Sequence, residues 1–115
     1  MLEDWKDLLK SYGTALGNLG KGNPKLTQAV GSLATDGTKG VLDAKTRELI
    51  ALAVAATTRC DGCISVHVPE AIKAGATRDE ILDTLAVAVA MNAGPAAIYS
   101  SRILEAYDQH KGDAK

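Results

Sequence analysis

Cys60, Cys63 and His67 stand at positions i, i+3 and i+7 of this chain. On a helix that spacing makes one stripe, with Cys63 and His67 a single turn apart. Cysteines in the first turn of a helix meet unpaired amides and the positive end of the helix dipole, which favour thiolate over thiol. The stripe therefore offers a nucleophile, a second thiol within disulfide reach and a base one turn below. The helix start by itself favours Cys60 as the more exposed thiolate, whereas the neighbouring imidazole favours Cys63. Glu48 joins the group if the third and fourth helices form an antiparallel pair turning near Thr57–Thr58, because residues 48 and 67 are then equidistant from the turn. A carboxylate beside a histidine fixes its tautomer and raises its basicity.

Each member alone has an ordinary explanation: an idle C-x-x-C, a surface histidine, a solvated glutamate. All of them on one stripe is much harder to explain that way. Zinc is the main rival chemistry, since two Cys, one His and one Glu could complete a tetrahedral site. Along a helix axis, however, Cys60 and His67 are about 10 Å apart, too far to converge on one ion. No metal and no other cofactor is therefore expected. A thioredoxin-type context needs strands around the C-x-x-C, and nothing in the chain reads as a strand. His110 lies in a polar tail and takes no role, while Lys45, Arg47, Lys73 and Arg78 read as surface charge.

Six helices are expected to position these residues. Trp5, Leu8, Leu9, Tyr12, Leu16 and Leu19 follow helical spacing and form a first amphipathic helix ending within Gly17–Gly22. Asn23-Pro24 starts a second, which carries Leu26, Val30 and Leu33 and fades into a loop at Thr35–Gly40. Asp43 caps a third, apolar nearly all round from Leu49 to Ala56. The fourth begins near Cys60 and stops at Gly75, a left-handed C-cap, with Pro69 expected to kink it at the carbonyl of Ser65. Thr77-Arg78-Asp79-Glu80 is a capping box opening a fifth helix, Ile81 to Met91. Gly94-Pro95 then breaks the chain and starts a sixth that ends around Asp108, ahead of a frayed tail. Two helices without a polar face suggest a homo-oligomer that buries part of the third or fifth between subunits.

The 115 residues read as one domain, with residues 1–40 as N-terminal helices, 43–108 as the core and 110–115 as the polar tail. Thirteen basic against fourteen acidic residues leave a formal charge of −1, which argues against a nucleic acid or membrane surface as partner. Met1–Lys10 lacks the continuous apolar stretch of a secretory signal, and Leu85–Ala93 is too short to span a bilayer. The expected location is the cytoplasm. There a permanent bridge is disfavoured, and one between residues three apart closes almost no loop.

The run from Thr46-Arg47-Glu48-Leu49 through Cys60-Asp61-Gly62-Cys63-Ile64-Ser65-Val66-His67 to Ala74-Gly75-Ala76 resembles the AhpD-like alkylhydroperoxidase core of the carboxymuconolactone decarboxylase superfamily. Glu twelve residues before the C-x-x-C and His four after its second Cys form that family's signature. Glu80–Leu85 and Gly94-Pro95 are also similar to it. The resemblance implies an all-α fold that assembles as a homotrimer or homohexamer. It implies a dithiol peroxidase of organic hydroperoxides, with an external dithiol or thioredoxin-like reductant. In that family Cys63 would attack the peroxide, Cys60 would relay a proton and then form the disulfide, and Glu48 and His67 would complete the relay. The best-known members carry a second His where this chain has Gly62, so one relay group is absent. That departure leaves a thiol–disulfide carrier or redox sensor as the alternative. A lactone decarboxylase, as in the sister branch, would not depend on the cysteines, and inert buried thiols would alkylate slowly.

Overall fold

The computed structural model describes residues 1–35 and 39–113, and those residues contain helices and no strand. Among the described residues there are five helices: α1 (Trp5–Gly22), α2 (Pro24–Thr35), α3 (Ala44–Thr58), α4 (Asp61–Lys73) and α5 (Arg78–Asp113). Five replace the six expected because the break predicted at Gly94-Pro95 is a kink inside α5, where Asn92 (φ −139°, ψ 21°) and Ala93 (φ 30°, ψ −116°) leave helical geometry. Pro95 has no amide to give the carbonyl of Met91, and its ring presses on that carbonyl, so the distortion falls in the turn before the proline. The helix then continues to Asp113, well beyond Asp108, and includes His110. Residues 36–38 of the loop expected at Thr35–Gly40, and the end of the tail, lie outside the described residues.

Local chemistry sets the helix ends. Asp4 caps α1 by accepting from the Asp7 amide at 3.1 Å, and Asp43 caps α3 by accepting from Thr46 at 2.8 Å. The capping box at α5 is reciprocal. The Thr77 amide donates to Glu80 Oε1 at 2.9 Å, and the Glu80 amide donates to Thr77 Oγ1 at 3.1 Å. Past the end of α4, Gly75 takes φ 90°. There the Gly75 amide donates to the Ile72 carbonyl and the Ala76 amide to that of Ala71, the pairing of a Schellman turn. α4 stays helical through Pro69. The proline costs one backbone hydrogen bond, and the fully buried Ile64, Val68 and Ala71 hold the helix against its neighbours regardless.

The core is built from α3, α4 and α5, with α3 packed most extensively on α5 and next on α4. Leu52, Ile64, Val68, Ile81 and Ile103 are fully buried in it, and alanines 55, 56, 71 and 106 let the helices approach closely. α1 joins through Trp5, which has no exposed surface. The Trp5 indole donates to Glu105 Oε1 at 3.1 Å, and the Trp5 amide donates to Gln109 Oε1 at 2.7 Å. α2 packs on α1 alone among the described elements. The apolar residues of α2 and of the second half of α1 remain exposed, as do Ile50 and Val54 of α3 and Leu82, Val87, Met91 and Ile98 of α5. A single chain therefore leaves the predicted apolar faces of α3 and α5 uncovered.

Two carboxylates that brace the fold sit below the ordinary range. At Glu80 the Lys45 ammonium, 2.7 Å away, and the Thr77 amide hold the pKa down. At Glu105 burial works to raise the pKa, but the amides of Leu2 and Glu3 with the Trp5 indole leave it lowered. A depressed folded pKa contributes stability above the unfolded value, and that stability is lost as pH falls through the folded value. The urea midpoint should therefore hold steady down to about pH 5 and drop below it, and it should drop less steeply in Glu105→Gln than in the parent.

Candidate active site

Only Arg59 and Cys60 separate α3 from α4, so the passage falls two residues later than the expected Thr57–Thr58. Arg59 takes the left-handed conformation (φ 56°, ψ 49°), and its amide and that of Cys60 both donate to the Ala55 carbonyl. Cys60 follows in extended geometry as the N-cap of α4, its Sγ accepting from the Cys63 amide at 3.2 Å. Cys60 and Cys63 are joined as a disulfide, with Cα atoms 5.2 Å apart. The pair thus occupies the helix start that the spacing predicts, in its oxidised form.

Glu48, on the second turn of α3, meets His67 one turn below Cys63. Their Oε2 and Nδ1 atoms lie 2.8 Å apart, with 22% and 33% of the two side chains exposed. An ionised carboxylate can only accept, so Nδ1 carries the proton of this contact, and in the neutral ring Nε2 keeps a lone pair. The geometry brings all four predicted site residues to the α3–α4 packing. It does not give them equal access. An apolar groove of about 630 Å³ runs along α3 and the segment before it, walled by Val41, Leu42, Ile50, Ala51 and Val54. Of the four, Cys63 and His67 line that groove, while Cys60 and Glu48 do not. Lys39 and Arg47 line it too, so Arg47 is more than the surface charge its sequence context suggested.

Sequence reasoning missed three residues beside the dithiol. The Tyr12 ring of α1 lies over Gly62, where a Cβ would stand 3.5 Å from it. Arg102 of α5 reaches Asp61, between the cysteines, with Nε and Nη2 at 3.1 and 3.0 Å from the two carboxylate oxygens. Tyr12 belongs to an apolar stripe and gave no other signal, and Arg102 lies 41 residues from its partner. Asp61 was visible only as the polar residue following Cys60. Among the described residues, no cluster of three or more His, Cys, Asp or Glu side chains is arranged to hold a metal ion.

Comparison with known proteins places this geometry in context. Residues 24–106 match the carboxymuconolactone decarboxylase family. An uncharacterised protein of Haemophilus influenzae is 54% identical over 112 residues, covering 96% of this chain and 99% of that one. One of Cupriavidus necator is 34% identical over 109 residues, covering 94% and 96%. The crystal structure of a carboxymuconolactone decarboxylase family protein from Legionella pneumophila, in its apo form, superposes with a TM-score of 0.87. It is 41% identical and covers 92% of this chain and 96% of that one.

A Cβ at residue 62 meets Tyr12 at ordinary van der Waals distance. Gly62→Ala should therefore fold normally and gain up to about 0.5–1 kcal/mol in urea unfolding, as an alanine does over a helical glycine. Gly62→His must displace the Tyr12 ring. Its stability should fall below that of Gly62→Ala, and the gap should close in a Tyr12→Ala background.

Proposed function

The chain belongs to the carboxymuconolactone decarboxylase family and carries its AhpD-like core, and from that premise we propose that it is a dithiol peroxidase of organic hydroperoxides. One observation carries the reading. Cys63 and His67 open together on an apolar groove, and Glu48 holds the imidazole from behind. In the reduced protein His67 Nε2 takes the Cys63 proton, and Glu48 stabilises the imidazolium. The Cys63 thiolate attacks the terminal oxygen of ROOH, breaking the O–O bond. The departing alkoxide takes the proton and leaves as ROH, and Cys63 becomes a sulfenic acid. Cys60 then attacks the Cys63 sulfur, water leaves, and the Cys60–Cys63 disulfide forms. An external dithiol of thioredoxin type returns both thiols, so one hydroperoxide consumes two reducing equivalents. Apolar walls suit an apolar R group, and a reducing compartment such as the cytoplasm supplies the reductant.

α3 and α4 act in this scheme as the central antiparallel pair. The chain works as a homotrimer or homohexamer that covers the exposed faces of α3 and α5, which a soluble monomer would leave against water. Sedimentation should give three or six chains per particle. Val87→Glu, on the exposed face of α5, should shift it toward monomer.

Mixing the reduced protein with one equivalent of an organic hydroperoxide tests the chemistry, followed by stopped flow and intact mass. The expected product has lost two hydrogens. Cys60→Ser should gain one oxygen instead, and Cys63→Ser should do neither. An unchanged mass over minutes would overturn the peroxidase reading. It would favour the thiol–disulfide carrier, for which Gly62 in place of a second relay histidine is the specific support.

A further inference from the structure

Asp61 places a carboxylate between the two cysteines, at the first position of α4. An uncompensated anion there opposes thiolate formation on either side. The structure does not leave it uncompensated. Arg102 meets it through two near-parallel hydrogen bonds of 3.1 and 3.0 Å, with 17% of the Arg102 side chain and 29% of the Asp61 side chain exposed. The guanidinium is itself held on two aromatic rings, its carbon 5.0 Å from the Trp5 ring centre and 5.4 Å from that of Tyr99. Trp5 is fully buried and bonded to Glu105, so the chain of contacts runs from the core through Arg102 to the residue after Cys60. A planar two-point pair fixes orientation in a way a lysine cannot.

We infer that Arg102 is a positioning residue for the dithiol: through Asp61 it orients the first turn of α4 and neutralises the carboxylate between the cysteines, so that Cys63 ionises readily. The inference rests on the dithiol being redox-active, as proposed above. Other charged groups lie next to the dithiol in sequence or along the groove. Arg59 precedes Cys60, and Lys39 and Arg47 line the groove with Cys63 and the Glu48-backed His67. Tyr12 covers Gly62 from α1. Arg102 bonds directly to a residue inside the C-x-x-C.

The test reads Cys63 acidity from the pH dependence of its alkylation by iodoacetamide, in a Cys60→Ser background that isolates the one thiol. Arg102→Gln leaves Asp61 unpaired and should raise the Cys63 pKa by about half a unit to one unit, slowing alkylation at pH 6 about three- to tenfold. Asp61→Asn removes the anion and keeps the cation, so it should move the pKa the opposite way. The double variant should return toward the parent. A merely structural pair would not give opposite signs. Shifts of the two single variants in the same direction, or no shift in either, would overturn the proposal. If Arg102→Gln fails to fold, Asp61→Asn decides alone, since an unchanged or raised Cys63 pKa in it refutes the role. Alkylation needs no peroxide, so a parent protein inert to hydroperoxide would refute the peroxidase reading while leaving this ordering to be judged separately.

Discussion

Arg59 adopts a left-handed backbone conformation that costs a residue with a Cβ on the order of 1–2 kcal/mol, and the site is arranged around what that conformation allows. The chain leaves α3 and enters α4 within two residues, with the Arg59 and Cys60 amides both satisfied by the Ala55 carbonyl. Cys60 is thereby delivered in extended geometry at the start of α4, where it caps the helix with its sulfur. Cys63 falls in the first turn, His67 one turn later, and Glu48 comes into contact with His67 across the same two helices. A longer connection would let α3 and α4 slide, and a shift of one residue would separate the carboxylate from the imidazole.

The four residues at this junction do not share one environment. Cys63 and His67 face the apolar groove, whereas Cys60 and Glu48 stand back from it. That asymmetry bears on the choice between the two sulfurs. Helix-start electrostatics favour Cys60, whose sulfur accepts from the Cys63 amide. For the proposed peroxide chemistry, the groove opening and the imidazole one turn away both point to Cys63.

Small side chains account for how the rest of the chain supports this arrangement. Alanines along α3, α4 and α5 bring the helix backbones close, and only a few bulky residues fill the centre. Among the described elements α2 packs on α1 alone, and apolar residues of every helix remain at the surface. The N-terminal helix is nevertheless more than an outer layer, because Trp5 underlies Arg102 and Tyr12 covers Gly62.

Much of this was legible in the amino-acid order, because the signals are local. Caps at Asp43 and Thr77, the glycine after α4 and the helical periods depend on neighbours within one or two turns, and the structure follows them. The Cys60–Cys63–His67 stripe needs nothing but helix geometry, and Glu48 needed one further assumption about packing. Where local rules misled, tertiary packing outweighed them. Burial of Ile64 and Val68 kept α4 helical through Pro69, whereas the break expected ahead of Pro95 is present as non-helical geometry at Asn92 and Ala93. Contacts between distant segments left no trace in the order of residues. Arg102 on Asp61 and Tyr12 over Gly62 join residues 41 or more positions apart, and which of the two sulfurs lines the groove depends on the side of α3 where it forms. Residue type and spacing determined which chemistry the chain carries. Long-range packing decided which of its atoms can be reached and what stands beside them, because that depends on how whole helices dock.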